Sequence, residues 1–375
     1  MSDPILDSIN VSTLKEVWPR VLYDNYFLGS PFQAYLRAKC MRPFSGGAFL
    51  QNSFLYGSLI GGAYQKGGAN FNLTKPQIVS ATLFDPKYYE VNVSEYLEDI
   101  DVINKGPNAV FSLVDIDMQA AVNTLSTIIA LDLQQNGQGS RVLSINGWPE
   151  AFNDGVLPDW QGNVWTTYGT QARNGAVKSA LNSSPFWFGT STGATAPITY
   201  AGLIEMYQGY CRGLKQPDLL VGNRAIYAYV LERMQTQQRF AQEKDPYWGV
   251  SGFRFENAIF LKDDYFPSLK YGQNDPNLGN WLTATFTNPV AATGTFANNF
   301  PNSTSAANLT PGEVLGMFNT DYILFRISDS AEFGFGFTGF IRAQDNTRVA
   351  GQSKCACNLQ VLSPWSGGFG MGIGG

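Results

Sequence analysis

The sequence predicts an α+β fold, and three observations carry that prediction. One long amphipathic helix stands among runs that read as strands. Glycine-punctuated segments join those runs, with Gly 39 and Phe 26 in a chain of 375 residues. A hydrophobic content of 44% is ample for a sizeable core, which excludes disorder of the whole chain.

Residues 1–44 read as an N-terminal arm. In Ile5-Leu6-Asp7-Ser8-Ile9-Asn10-Val11 the apolar residues recur at near-helical spacing, too briefly for a stable isolated helix. Trp18, Tyr23, Tyr26, Phe27 and Phe32 follow, with little local sequence to bury them. They are expected to pack on something else, or else to dock on their own domain as an ordinary helix and loop. Residues 45–100 read as an extended loop with its base strands. Strand-like runs, Phe49 to Ile60 and Ile78 to Phe84, flank Gly67-Gly68-Ala69-Asn70, the pattern of a long hairpin. A two-stranded ribbon is marginal alone in water. Its aromatics Phe49, Phe54, Tyr56 and Phe84 are therefore expected to meet a surface outside the subunit.

Residues 101–140 hold the spine helix, from about Asn108 to Asn136, opened by Gly106-Pro107. Val110, Val114, Met118, Val122, Leu125 and Ile129 step by three or four and define its apolar stripe. Asp115 and Asp117 suit its N-terminal half, and Gly137 its C′ position. Residues 141–320 form a further unit. Loops run to about Ala196, then a helix from Tyr200 to Leu214 with Thr199 as N-cap. A short strand Leu219-Leu220-Val221 and a helix from Arg224 to Ala241 follow. Phe253 to Leu261 alternates as one strand and ends at Asp263-Asp264. Residues 270–312 are polar and read as an insertion or long surface loop. Residues 321–375 are strand-rich to Leu362, and the tail from Gly367 is glycine-rich and expected to be flexible.

Chemistry finds little to work with. The chain has no histidine, which removes the Ser-His-Asp triad, His metal ligands and the commonest general base. Asp263 and Asp264 are adjacent on a strand and point to opposite faces, so they read as solvated strand-end charges. Cys355 and Cys357 share a strand face, but zinc wants a second pair and Cys40 and Cys211 stand alone. They read as buried small hydrophobes. Gly334-Phe335-Gly336-Phe337-Thr338-Gly339 matches the dinucleotide pattern literally. It lacks the strand–turn–helix context and reads as a glycine-rich strand. No catalytic, cofactor-binding or metal-binding residue is nominated. The formal net charge of −5 and the absence of a strong basic cluster argue against nucleic-acid recognition. No leader pattern and no transmembrane stretch is found, and the expectation is a chain made in a reducing cytoplasm.

The order of parts resembles the major capsid proteins of tailed phages, a fold shared with encapsulins and the herpesvirus capsid floor. The resemblance is carried first by Pro217-Asp218-Leu219-Leu220-Val221-Gly222-Asn223, continuing through the helix to Arg239. Phe253-Arg254-Phe255-Glu256-Asn257-Ala258-Ile259-Phe260 and the turn from Asp263 to Pro267 extend it. Asn104-Lys105-Gly106-Pro107 and Phe318-Asn319-Thr320-Asp321-Tyr322 are similar to the same family pattern. The resemblance covers nearly the whole chain, though no single motif in it is highly specific, and it implies that 101–140 is the spine helix of a peripheral domain, 141–320 an axial domain and 321–375 strands returning to both. Residues 270–312 are longer than the family's loop. The Lys–Asn cross-link of some relatives is not carried over, because Lys66 and Lys75 alone identify no such site.

The resemblance implies a structural role without enzymatic activity: self-assembly through hexamers and pentamers into an icosahedral shell. It implies a separate scaffolding protein and a portal as partners, double-stranded DNA enclosed without sequence recognition, and room for a decoration protein, with no membrane. The virion capsid, assembled in the host cytoplasm, would be the location. Phe49, Phe54, Tyr56, Phe84, Trp18 and Phe27 are the expected assembly-interface residues. An encapsulin-type cargo shell stays open beside this. So does a carbohydrate-binding or glycosidase β-protein, which would explain eight tryptophans but requires two converging carboxylates.

Overall fold

Two sheets organise the molecule, each joining strands far apart in sequence. The computed structural model describes residues 29–61, 74–99, 113–134, 137, 143–159, 164–189, 196–235, 242–244, 251–263, 265–266, 313–337, 339–342 and 348–374. Trp18, Phe27, the Gly67–Asn70 turn, Asp264 and the insertion at 270–312 lie outside them.

The first sheet has six strands. Its order is β1 (Met41–Phe44), β14 (Ile323–Ser328), β17 (Arg348–Val361) and β15 (Gly334–Phe337). Both β4 (Lys87–Tyr96) and β16 (Ile341–Arg342) also pair with β17. At 14 residues β17 is long enough to serve all these neighbours. Its inward positions include Cys355 and Cys357, both fully buried as small apolar groups.

Helix α2 (Leu113–Asp132) lies against β4 and β17. The buried stripe is Ala121, Leu125 and Ile129, continued by Leu133 beyond the helix. Val122, expected on it, is 41% exposed; the sheet meets the neighbouring row of four-residue steps instead. The expected start at 108 lies outside the described residues, and the helix ends at Asp132, short of Asn136. Gly137 is not its C′ residue. A Cβ there would stand 3.0 Å from the Ser144 and Ile145 carbonyl oxygens, so close approach of the chain favours glycine.

The second sheet has eight strands. It runs β10 (Gln242–Lys244), β11 (Ser251–Phe255), β12 (Ala258–Lys262), β9 (Leu219–Gly222), β13 (Glu313–Phe318), β18 (Gly368–Gly374) and β7 (Phe186–Trp187). The eighth, β8 (Ala196–Pro197), also pairs with β18. Every residue of β9 is buried, as expected for a continuous apolar run between two covered faces. On one face, α5 (Tyr200–Tyr210) and α6 (Arg224–Gln235) supply Leu203, Met206, Ile226 and Val230 against Leu220 and Phe260. Thr199 caps α5 by accepting from the Gly202 N–H. The other face carries an aromatic stack. Phe318, Phe32 and Trp148 form a three-ring cluster (Phe318–Phe32 5.7 Å, Phe318–Trp148 4.8 Å, Phe32–Trp148 5.1 Å), with Phe152 tilted on Phe318 and Phe369 edge-on to it.

Trp148 opens the short α3 (Trp148–Ala151), and a small hairpin of β5 (Thr167–Tyr168) and β6 (Gln171–Ala172) follows. Beside α4 (Lys178–Leu181), buried Arg173 donates to the carbonyls of Glu150, Ala151, Asn153 and Leu181. One guanidinium thus satisfies a loop region that offers no regular backbone partners. Burial lowers its pKa to about 10.

Three further expectations require correction. Phe253 to Leu261 is not one strand: β11 and β12 form a hairpin turning at Glu256-Asn257, with Glu256 at φ 49°. The C-terminal tail is not flexible: it forms β18, buried between β13 and the short strands β7 and β8. Its glycines are steric necessities, because a Cβ on Gly368 would stand 2.4 Å from the Tyr210 hydroxyl oxygen. Asp263 is not a solvated charge but fully buried. It accepts from the Ser30 hydroxyl (2.5 Å), the Phe32 N–H (3.0 Å) and the Tyr265 N–H (2.8 Å). Of the two readings left open for the arm, the part from Ser30 onward takes the second and docks on its own chain. α1 (Pro31–Tyr35) and a π-turn (Leu36–Cys40) bury Phe32, Tyr35, Leu36 and Cys40 before β1 joins β14 in parallel.

Candidate assembly surface

The ribbon is formed by β2 (Leu50–Leu55) and β3 (Val79–Phe84), paired antiparallel from Leu50↔Phe84 to Leu55↔Val79. Strand alternation gives it two unlike faces. Leu50, Thr82 and Phe84 turn inward and are buried. The Phe84 ring meets Tyr168 edge-on at 5.0 Å, and Gly169 approaches so closely that a Cβ would stand 2.6 Å from that ring. The Gln360 amide donates to the Leu50 carbonyl, and the Leu83 N–H to that of Gly169. The ribbon's base is therefore fixed to the rest of its own chain.

Phe84 accordingly belongs to the chain's core, where Tyr168 and Gly169 cover it, and is no surface residue. Phe49 is 60% exposed. Phe54 is half-buried, packs against the core cluster and tilts on half-buried Tyr56 at 6.3 Å. Trp18 and Phe27 lie outside the described residues. Sequence reasoning passed over the ribbon's aliphatic side chains. Leu55 is 66% and Val79 50% exposed, and they face each other across the strands. Leu59 and Ile60 are exposed beyond them. The signal was present in the alternation Gln51, Ser53, Leu55, which puts a leucine on the face opposite Leu50. Four large aliphatic side chains are thus exposed on and just beyond the ribbon's outer half.

The titratable groups are arranged for packing. The Glu95 carboxyl on β4 hydrogen-bonds Asp117 on α2, and desolvation and that neighbour raise it to about 7. Hydrogen-bonded to one another, these carboxyls do not stand ~5–9.5 Å apart across a sugar, as glycoside cleavage requires. Lys39 bridges Asp218 at 2.6 Å, and Asp218 accepts from the Thr320 N–H and hydroxyl. That network ties the arm to the junction of the two sheets. Among the described residues no group of three or more His, Cys, Asp or Glu could hold a metal ion, and no helix is long and apolar enough to cross a membrane.

No family model matches the sequence, and no curated protein matches it. Solved structures do. The chain is similar to the capsid of cyanophage A-1(L), with TM-score 0.60 and 12% identity over 95% of this chain and 97% of that one. It is similar to the capsid of a native GTA particle, with TM-score 0.55 and 10% identity over 96% of each. The SrpI encapsulin of Synechococcus elongatus PCC 7942 aligns with all of this chain and 96% of its own, at TM-score 0.55 and 8% identity. Identities this low show the fold alone. The chain has the α+β major capsid fold, found in both phage shells and an encapsulin.

Proposed function

We propose that this chain is the structural subunit of a tailed-phage icosahedral capsid, without enzymatic activity. The observation that carries the reading is the ribbon. It is anchored at its base by Leu50, Thr82 and Phe84 and presents Leu55, Val79, Leu59 and Ile60 to solvent on a capsid fold. The first sheet with α2 serves as the peripheral domain and the second sheet with α5 and α6 as the axial domain. Head-to-tail contacts whose rotation closes build hexamers and pentamers, and these tile into a shell. Phe49, Phe54 and Tyr56 extend the contact surface, with Trp18 and Phe27 of the arm. A scaffolding protein directs curvature, a portal fills one vertex, and a decoration protein can bind outside. The acidic chain encloses double-stranded DNA without gripping it. The virion is then its location, reached after assembly in the host cytoplasm.

A second reading is favoured by the likeness to an encapsulin across the whole chain. In it the same shell holds a protein cargo. Electron microscopy of the purified chain tests both. Closed shells or rings of five and six are expected; a strictly monomeric protein at every concentration would overturn both readings. Uniform shells that carry a co-purified cargo protein would favour the compartment over the phage capsid.

A further inference from the structure

Asn-Gly is a dipeptide open to one particular covalent change, because glycine places no Cβ between the asparagine side chain and the next backbone nitrogen. It occurs at Asn136, Asn146 and Asn174, and the fold treats these places differently. The Gly137 N–H is buried and donates to the Glu150 carboxylate at 3.3 Å, so that nitrogen is engaged. Asn146 is buried. Its amide donates to both Glu150 oxygens (3.0 and 2.9 Å), and its carbonyl oxygen accepts from the Asn358 amide at 2.9 Å. Turning that side chain onto Gly147 would break all these bonds inside the core. Asn174 and Gly175, by contrast, are both exposed. Asn174 precedes the 3₁₀ turn Gly175–Val177, yet its side chain makes no capping bond. Gly175 sits at φ 57° with nothing within 4 Å of a Cβ. The pair follows buried Arg173, whose N–H donates to the Thr166 carbonyl at 2.8 Å. An unrestrained dipeptide therefore leaves a fixed root.

We propose that Asn174 is a site of spontaneous, water-consuming deamidation, and that the fold spares Asn146. The Gly175 backbone nitrogen, giving up its proton to hydroxide, attacks the Asn174 Cγ. A C–N bond forms, the bond from Cγ to the side-chain nitrogen breaks, and ammonia leaves with a proton from water. Water then opens the cyclic imide at either of its carbonyls. Opening at one gives aspartate; opening at the other gives isoaspartate, with one methylene added to the backbone. Ring closure requires the Asn174 backbone to turn from its extended ψ of 175°, and the open space at Gly175 leaves room for that turn. The product matters because of where it lies. Gly175 and Lys178 border a groove of about 690 Å³ shared with Tyr210, Arg212 and Trp365, and no Asp or Glu is among its described lining residues. Conversion sets a carboxylate beside this cationic rim, irreversibly and without an enzyme, so the charge of the surface records the age of the chain. This chemistry is independent of whether the chain builds a shell.

Peptide mapping by mass spectrometry of the full-length chain, aged at neutral and at mildly alkaline pH, tests this. In the folded chain the peptide holding Asn174 should gain the mass difference between water and ammonia and split into aspartate and isoaspartate forms. Conversion should be faster at the higher pH, because the attacking nitrogen must lose a proton. The Asn146 peptide should lag by roughly a hundredfold, since its buried bonds must first open locally. In guanidinium chloride, where only local sequence counts, both peptides should convert at similar rates. Unchanged circular dichroism verifies that the aged chain is still folded. Equal conversion of the two peptides in the folded chain would show that the fold plays no part. An Asn174 that converts only in guanidinium would show that its turn protects it, and one inert under both conditions would remove the chemistry itself. Each of these results overturns the proposal.

Discussion

Asp263 shows how much one side chain holds here. Its carboxylate gathers the Ser30 hydroxyl, the Phe32 N–H and the Tyr265 N–H, so it joins the arm to the end of β12. Removing it leaves buried donors without an acceptor, each at a cost of ~1–3 kcal/mol. Asp263→Ala should therefore lower stability by about 3 kcal/mol or more, read as a lower urea midpoint at unchanged slope. Asp263→Asn keeps one acceptor oxygen and should lose less. Sequence reading missed this residue for a physical reason. Adjacent acids at a strand end ordinarily face water, and the partners Ser30 and Phe32 lie more than 230 positions away. Phe84 was misplaced in the same way: its pocket is made by Tyr168 and Gly169, which no local pattern links to it. By contrast, Thr199 as the α5 cap was legible because a cap is a local matter, settled within four residues.

At the scale of elements, glycine divides what could be read from what could not. The tail from Gly367 has the composition of a linker, yet it forms β18 because only glycine lets Tyr210, Phe188 and Met206 pack onto the strand. Gly368→Ala would push a methyl into the Tyr210 ring, with 2.4–2.6 Å to its nearest atoms, and should cost ~1–3 kcal/mol as overpacking does. Gly209 lies within α5 with nothing within 4 Å of a Cβ. Gly209→Ala should instead stabilise by up to about 1 kcal/mol. Opposite shifts of the thermal midpoint check the pair, and equal shifts would remove the steric account. Between β4 and α2, the Glu95–Asp117 contact makes stability pH-dependent. Glu95 is raised from 4.5 to about 7 by desolvation first and Asp117 second, with Arg348 opposing. A carboxyl raised on folding stabilises fully below its unfolded value and loses that contribution as pH rises through its folded one. Stability should thus fall between about pH 4.5 and 7, and Glu95→Gln should flatten that slope in thermal melts. An unchanged slope would show that the carboxyls do not share a proton.

For the whole molecule, what remains to be explained is an apolar ribbon exposed on a chain whose second sheet is buried through β9, β13 and β18. The order of parts was legible from the strand, helix and turn punctuation, because capsid-like topology is written in element sequence. Which ribbon residues face outward was not, since that depends on how the base is docked. The anchors Leu50, Thr82 and Phe84 belong to the subunit, so excising the ribbon with them would test folding instead of assembly. Replacing residues 55–79 by a short Gly-Ser turn keeps the anchors, core-packed Phe54 and the Phe54↔Ser80 pair. It removes Leu55, Leu59, Ile60 and Val79, all at least 50% exposed. Loss of exposed groups should cost the monomer little, since surface changes usually stay within about 0.5 kcal/mol. In a shell each subunit repeats the contact, and weak edges act together through effective concentration, so the loss should be decisive there. The variant should remain folded by circular dichroism, yet sediment as monomers or isolated rings. Closed shells from the shortened chain would show that the ribbon is dispensable and that the sheets' own edges carry assembly. Unfolding would show that the ribbon's outer half stabilises its own subunit, contrary to the exposure of Leu55 and Val79.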